Sequence, residues 1–186
     1  MNIITQVLSA LILIPRQPNL LAERSQIVKG TKSWDRFFTP AITIFGTLAN
    51  IVIASLDARF HWTTSINLGI WISAVIIAEL SQLFVFWAMA SNQFFATTVR
   101  IQEERGHYVV ETGPYCIIRH PGYAGSVIYS LLIPLVLGSY WTFFPAILTV
   151  GLLITRTKLE DGTLQAELPG YNDYAQRISY RLIPGI

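Results

Sequence analysis

The chain has 186 residues, 52% of them hydrophobic and only 13% charged, with a net charge of +2. Soluble domains carry about 25% charged residues, and here the apolar residues gather into long runs between polar blocks, the pattern of a polytopic membrane protein. No Lys/Arg cluster is dense enough to grip phosphates, which argues against nucleic acid as a partner. The single cysteine, Cys116, excludes an internal disulfide and a Cys-based metal site, and His61, His107 and His120 have no familiar zinc spacing, so no metal is expected.

In chain order, the opening MNIITQVLSALILIP has neither a basic n-region nor a small-x-small cleavage site. It reads as a retained membrane segment of about 15 residues, short against the roughly 17–25 of a full span. Four further apolar runs follow, at about residues 37–56, 66–90, 123–137 and 141–155. The last two are separated only by Gly138, Ser139 and Tyr140, which predicts a tight helical hairpin. Backbone groups in lipid must be satisfied within their own segment, so these runs are helices. Pro134 and Pro145 are expected to kink the hairpin helices. The fold class is therefore all-α: a polytopic membrane helix bundle of about five transmembrane helices, forming one domain over residues 1–186.

Orientation follows from Lys/Arg placement. Arg16, Arg24, Lys29, Lys32 and Arg36 lie in one block, Arg100, Arg105 and Arg119 in the block 91–121, and Arg156, Lys158, Arg177 and Arg181 in the tail 156–186. With five spans these blocks share one side, leaving Arg59 alone on the other. The expectation is an integral membrane protein with its N-terminus outside and both later polar blocks in the cytoplasm. The membrane would be a bacterial or archaeal plasma membrane, or the endoplasmic reticulum of a eukaryote.

The block 91–121 is too structured for a linker. Gly113-Pro114 marks a turn, and Arg119-His120-Pro121 leads straight into a membrane helix, with Pro121 near its first turn. Taken alone, Arg119 and His120 are as easily interfacial anchors. In the tail, Arg156 and Glu160 are four residues apart and share a helix face, which alone would be an ordinary surface ion pair worth about 0–1 kcal/mol.

Taken together, the two blocks resemble the isoprenylcysteine carboxyl methyltransferases and their prokaryotic relatives, membrane enzymes that use S-adenosylmethionine. The resemblance is carried by GHYVVETGPYCIIRHPGYAG (residues 106–125) and RTKLEDGTLQAELPGYNDYAQRISYRLIPG (residues 156–185), and more weakly by AERSQIVKGTKSWD (residues 22–35). It implies a cytoplasmic cofactor pocket formed by Gln102, His107, Tyr108, Val109, Val110, Tyr115, His120, Pro121, Gly122, Tyr123 and Glu160. It also implies that Arg156 meets the substrate carboxylate; should Arg156 serve the cofactor instead, Arg119 is the next candidate. This chain has Glu160-Asp161 where many relatives have two glutamates, and its Gln102-to-His107 spacing is two residues shorter than in the animal enzymes.

The residue chemistry agrees with the resemblance. A prenylcysteine carboxylate, with a reference pKa near 3.5, is already ionised at neutral pH and needs no general base. Alignment of acceptor and methyl group can supply roughly 7–11 kcal/mol. The planar fork of Arg156 suits a carboxylate, Glu160 can accept from cofactor hydroxyl or amino groups, and Tyr115 and Tyr123 can lie against adenine or sulfonium. The partners expected are a lipid-modified or amphiphilic acceptor, entering laterally between helices, and membrane lipid. Two rivals stand beside this reading. An NADPH-dependent sterol-type reductase shares the RHP motif, although Glu160 and Asp161 would repel a 2′-phosphate; the other is a non-catalytic membrane adaptor. Glu79, an acid deep in a span, is either functional or satisfied by Ser81 or Gln82, and Asn50 is expected to join two helices.

Overall fold

The computed structural model describes residues 30–183, and among these every regular element is helical. The apolar run at residues 1–15 lies outside the described residues. Asp35–Phe60 is one continuous apolar segment of 26 residues, made of α1 (Asp35–Thr43), a π-helical turn (Ile44–Ala49) and α2 (Asn50–Phe60). The following helices are α3 (Leu68–Ser91), α4 (Pro121–Leu137), α5 (Phe143–Glu167) and α6 (Tyr171–Arg177). Asp35–Phe60, α3 and the segment Tyr140–Glu167 are long and apolar enough to cross a membrane, and α4 is a shorter apolar helix. The result is a helical membrane bundle.

The sequence explains how these helices pack. On α3 the buried residues are small along most of its length, Ala74, Ala78, Ser81 and Ala88, with Met89 buried near its end, while Ile70, Ile76, Leu80, Leu83 and Trp87 are exposed. An apolar outer face with small residues inward is the arrangement lipid favours, because close backbone approach replaces the hydrophobic drive. Gly125 of α4 meets this stripe directly. A Cβ there would come within 2.9 Å of the Ser81 carbonyl oxygen and 2.7 Å of Val85. Gly125→Ala is therefore expected to destabilise the protein by about 1–3 kcal/mol, since a backbone oxygen cannot move aside. A thermal melt in detergent would read this, and an unchanged midpoint would mean that α3 and α4 slide apart freely.

The hairpin forms as expected. Gly138 adopts the left-handed conformation (φ 73°) that ends α4, and Ser139 N–H donates to the Pro134 carbonyl. Pro134 lies inside α4. Pro145 does not interrupt a helix: it is the third residue of α5, where the N–H has no intrahelical acceptor and nothing is lost. Asn50 also differs from expectation. Its amide donates to the Phe45 carbonyl at 2.8 Å, closing the wide turn of its own helix rather than bridging to another. That turn sits where Gly46 packs on Thr149 of α5.

The two ends of the bundle are chemically distinct. At one, buried Asp57 accepts from Thr63 N–H (2.7 Å), from the Thr63 hydroxyl (2.6 Å) and from the Ser139 hydroxyl, tying the α2–α3 loop to the hairpin turn. At the other, three polar segments converge. Lys32 N–H donates to the Val99 carbonyl at 3.0 Å, the Lys32 ammonium reaches Glu167 at 2.6 Å, and α5 runs unbroken past residue 155 to present Arg156 and Glu160 there. The intramembrane acid Glu79 has Tyr129 of α4 within electrostatic range. The hydroxyl of Ser81 is given to the Ile77 carbonyl.

Candidate active site

At the polar end a cavity of about 420 Å³ opens, within the range of small-molecule sites. Its outer wall is the strip His107 to Val110 with Tyr115, His120, Gly122, Tyr123 and Glu160. Its inner part continues between α1, α4 and α5, past Thr43, Ser126, Tyr129 and Thr149. Arg156 lies on the wall as well.

Each wall residue is held by a local device. The short 3-10 turn Glu103–Arg105 ends at Gly106 in the left-handed conformation (φ 61°), which throws His107 back over Phe94, ring centroids 4.4 Å apart. The Gln102 backbone N–H donates to His107 Nδ1 at 3.3 Å, so the ring proton sits on Nε2. Burial, helped by the nearby Arg100 and Arg105 charges, pushes the His107 pKa down to about 4. The ring is thus neutral at physiological pH and offers one N–H. The unfolded chain, with a histidine pKa near 6.5, takes up a proton that the folded protein refuses. Stability should therefore fall as pH drops from about 6.5 to 4, by on the order of 1–2 kcal/mol after discounting solvent screening. His107→Asn should flatten that slope in denaturation series at several pH values; an unchanged slope would assign it to another group.

Past His107 the chain forms no regular element through Val110. Among the described residues, the backbone groups of Tyr108, Val109 and Val110 have no backbone partner, so their donors and acceptors remain free for a ligand. Tyr115 follows in a 3-10 turn, Gly113–Cys116. Its hydroxyl receives Asn92 Nδ2 at 3.3 Å and its carbonyl receives the Tyr174 hydroxyl at 2.7 Å. Tyr123, one turn into α4, donates to Glu160 at 2.5 Å.

Two of the expected cofactor residues do not reach the cavity. Gln102 is buried behind the strip, donating to the Phe94 carbonyl at 2.8 Å and accepting from Arg105 at 2.6 Å. It is built to shape the loop. Pro121 is the first residue of α4, with φ already set for the helix. The remaining nine, His107, Tyr108, Val109, Val110, Tyr115, His120, Gly122, Tyr123 and Glu160, share the one cavity.

The ion pairs are not those the helix spacing suggests. Arg156 does not pair with Glu160. Its Nε and Nη2 grip Asp35 of α1 at 2.7 and 3.1 Å, and Nη2 also donates to the Thr97 carbonyl at 2.7 Å. Arg119 also lines the cavity, but its hydrogen bonds go to other groups. Its Nε and Nη2 bind Asp161 at 2.9 and 3.0 Å, and its Nη1 binds the carbonyls of Ile178 and Ser179.

Asp161 is the residue that sequence reasoning missed. It is 1% exposed and gathers Arg119, His120 Nε2 (2.9 Å), the Tyr171 hydroxyl (2.9 Å), Gln165 (2.8 Å) and Arg181 (3.1 Å). It anchors the RHP segment to α5, α6 and the chain end, whose Tyr180 and Arg181 carbonyls accept from the backbones of Arg119 and His120. A carboxylate only accepts, so His120 Nε2 carries a proton toward Asp161. No group of His, Cys, Asp and Glu among the described residues is arranged to hold a metal.

Residues 71–166 match the isoprenylcysteine carboxyl methyltransferase family, a stretch that includes α4, nearly all of α5 and most of the cavity wall. The chain is also 32% identical over 96 residues to "Uncharacterized protein YpbQ" of Bacillus subtilis (strain 168), a match that spans 51% of this chain and 56% of that protein.

Proposed function

The chain belongs to the isoprenylcysteine carboxyl methyltransferase family, and from that premise we propose that it moves a methyl group from S-adenosylmethionine to the carboxylate of an isoprenylcysteine-like or other amphiphilic acceptor. The observation that carries this is the shape of the cavity. Its outer part, walled by the backbone of Tyr108 to Val110 and by Glu160, suits a polar, cationic cofactor; its inner part runs among the membrane helices, where Ile42, Val85, Met89 and Leu153 stand beside the hydroxyls of Thr43, Ser126 and Thr149 and leave room for the lipid-borne end of an acceptor. Arg156 stands on the wall they share.

In this reading His107 Nε2–H and the strip backbone take the adenine and ribose. Glu160, with Tyr123 as its donor, takes the amino acid end of the cofactor. Arg156 and Asp35 cancel one another, so Glu160 leaves the site with one net negative charge facing the sulfonium. S-adenosylmethionine supplies the methyl group, and the protein supplies alignment and exclusion of water.

The test is methyl transfer from radiolabelled S-adenosylmethionine to N-acetyl-S-farnesylcysteine, beside calorimetric titration of S-adenosylhomocysteine in detergent. Glu160→Ala should weaken the titration about tenfold or more, the loss of one charge-assisted contact. NADPH binding without S-adenosylhomocysteine binding would sink the reading in favour of a reductase.

The proposed site faces the cytoplasm, as the basic residues gathered at the same end would require. Cysteines introduced at Ser65 and Gln176 in a Cys116→Ser background should be labelled from opposite faces of the membrane. Gln176 should react from the cytoplasmic face; its labelling from the outside would overturn the orientation, and labelling of both from one face the span order.

A further inference from the structure

Behind Arg156, on the acceptor side of the cavity, a carboxylate is bonded to the guanidinium. Asp35, in the first turn of α1, is 0% exposed. It takes two bonds from Arg156, at 2.7 and 3.1 Å, and a third from the Val99 backbone N–H at 2.8 Å. A side chain gripped by a backbone amide from another segment, with no solvent around it, is fixed in place. It does not swing aside to admit a ligand.

What this leaves of Arg156 is specific. Its Nε and Nη2 are committed to Asp35 and to the Thr97 carbonyl. Among the described residues Nη1 has no partner, and the guanidinium carbon stands 5.5 Å from the centroid of the Tyr123 ring. The cavity therefore meets one N–H edge of a neutralised pair. It does not meet the open two-pronged cation that the sequence suggests. Coulomb attraction for an incoming anion is largely cancelled when the opposite charge is bonded to the same guanidinium.

We propose that Asp35 is a positioning and specificity residue: it turns the Nη1 edge of Arg156 to the cavity and removes the pocket's preference for a negatively charged acceptor. Acceptors are then selected by hydrogen-bond geometry and by the fit of their apolar part. This rests on Arg156 being the acceptor-binding residue, as proposed above.

The experiment compares two ligands, N-acetyl-S-farnesylcysteine and its carboxamide, on the full chain in detergent. The wild-type protein should bind them within about fivefold of one another, because the charge is screened at its source. Asp35→Asn should tighten the carboxylate by about tenfold, leave the carboxamide within about twofold, and lower kcat through loss of Arg156 alignment. A merely structural aspartate would weaken both ligands together and tighten neither. That result, or a wild-type preference for the carboxylate above about fiftyfold, overturns the proposal. The wild-type comparison decides the matter even if Asp35→Asn fails to fold. Failure of the methyltransferase reading is seen separately, as absence of methyl transfer by the wild-type protein to any acceptor.

Discussion

Asp161→Ala is expected to cost the protein about 3–5 kcal/mol, the range for removing one partner from a buried charge network. Arg119 is 7% exposed and would keep its charge with only two carbonyls to meet it. His120 and Tyr171 would lose the acceptor that orients them, and Arg181 its anchor. The tail after α5 should therefore release, and S-adenosylhomocysteine affinity should fall along with the melting temperature. Glu160→Ala, one residue away on the cavity wall, should lose affinity with little change in stability. Thermal unfolding in detergent, beside limited proteolysis at Arg177 and Arg181, would measure both variants. An Asp161→Ala protein that melts with the wild type and resists tail cleavage would show that the bonds from Arg119 and Arg181 are dispensable.

Arg156→Ala should abolish methyl transfer while leaving cofactor affinity within about threefold. Loss of a charge-assisted hydrogen bond is worth about 1.5–3 kcal/mol, and displacement of the acceptor by about 1 Å can cost a further hundredfold. The combined loss should be about a thousandfold or more. The single variant also strands Asp35, a fully buried carboxylate, so part of any defect would be instability. Arg156→Ala combined with Asp35→Asn removes both charges. Stability should return in that protein and activity should not, an outcome that separates chemistry from folding. Lysine at position 156 should recover little, because a point charge cannot bind the two Asp35 oxygens while offering a third edge to the cavity. Normal turnover in the double variant would remove Arg156 from the active site. Loss of cofactor binding there would instead assign both tail residues to the cofactor.

The parts legible in the sequence were those governed by local rules. Apolar run length placed the described spans, Gly138 gave the hairpin its turn, and Pro121 the start of α4. The shared helix face of Arg156 and Glu160 followed from their four-residue spacing. The parts that escaped were long-range choices among polar partners. Arg156 and Glu160 sit one helical turn apart, and that spacing suggested a pair, yet Arg156 binds Asp35, 121 residues away. Asp35 offers Arg156 two oxygens with no solvent around them, while Glu160 is taken by the Tyr123 hydroxyl, and no pattern within α5 announces either choice. Asp161 looked like a variant of a paired acidic motif, because its donors come from residues 119–120 and 165–181 and only the fold assembles them. Gln102 was polar, near the motif and plausible as a ligand. Its burial behind the strip depends on the turn at Gly106 and on the Phe94 carbonyl, neither of which reads as a destination in sequence.

The shortness of α4 has a consequence for where turnover occurs. Its 17 residues give a rise of about 26 Å, against a hydrocarbon thickness of about 30 Å. A helix shorter than its bilayer thins the lipid around it or is drawn inward. Pro121 begins this helix with His120 just before it, so a bilayer of that thickness would draw the cavity rim toward headgroup depth. A lipid-borne acceptor could then reach Arg156 without extracting its tail into water, and its effective supply would be its mole fraction in the leaflet, independent of bulk molarity. Saturation curves in vesicles should then collapse onto a single surface-concentration axis when total lipid is varied. Acyl chains two or four carbons longer should slow turnover by straining the fit between α4 and the bilayer.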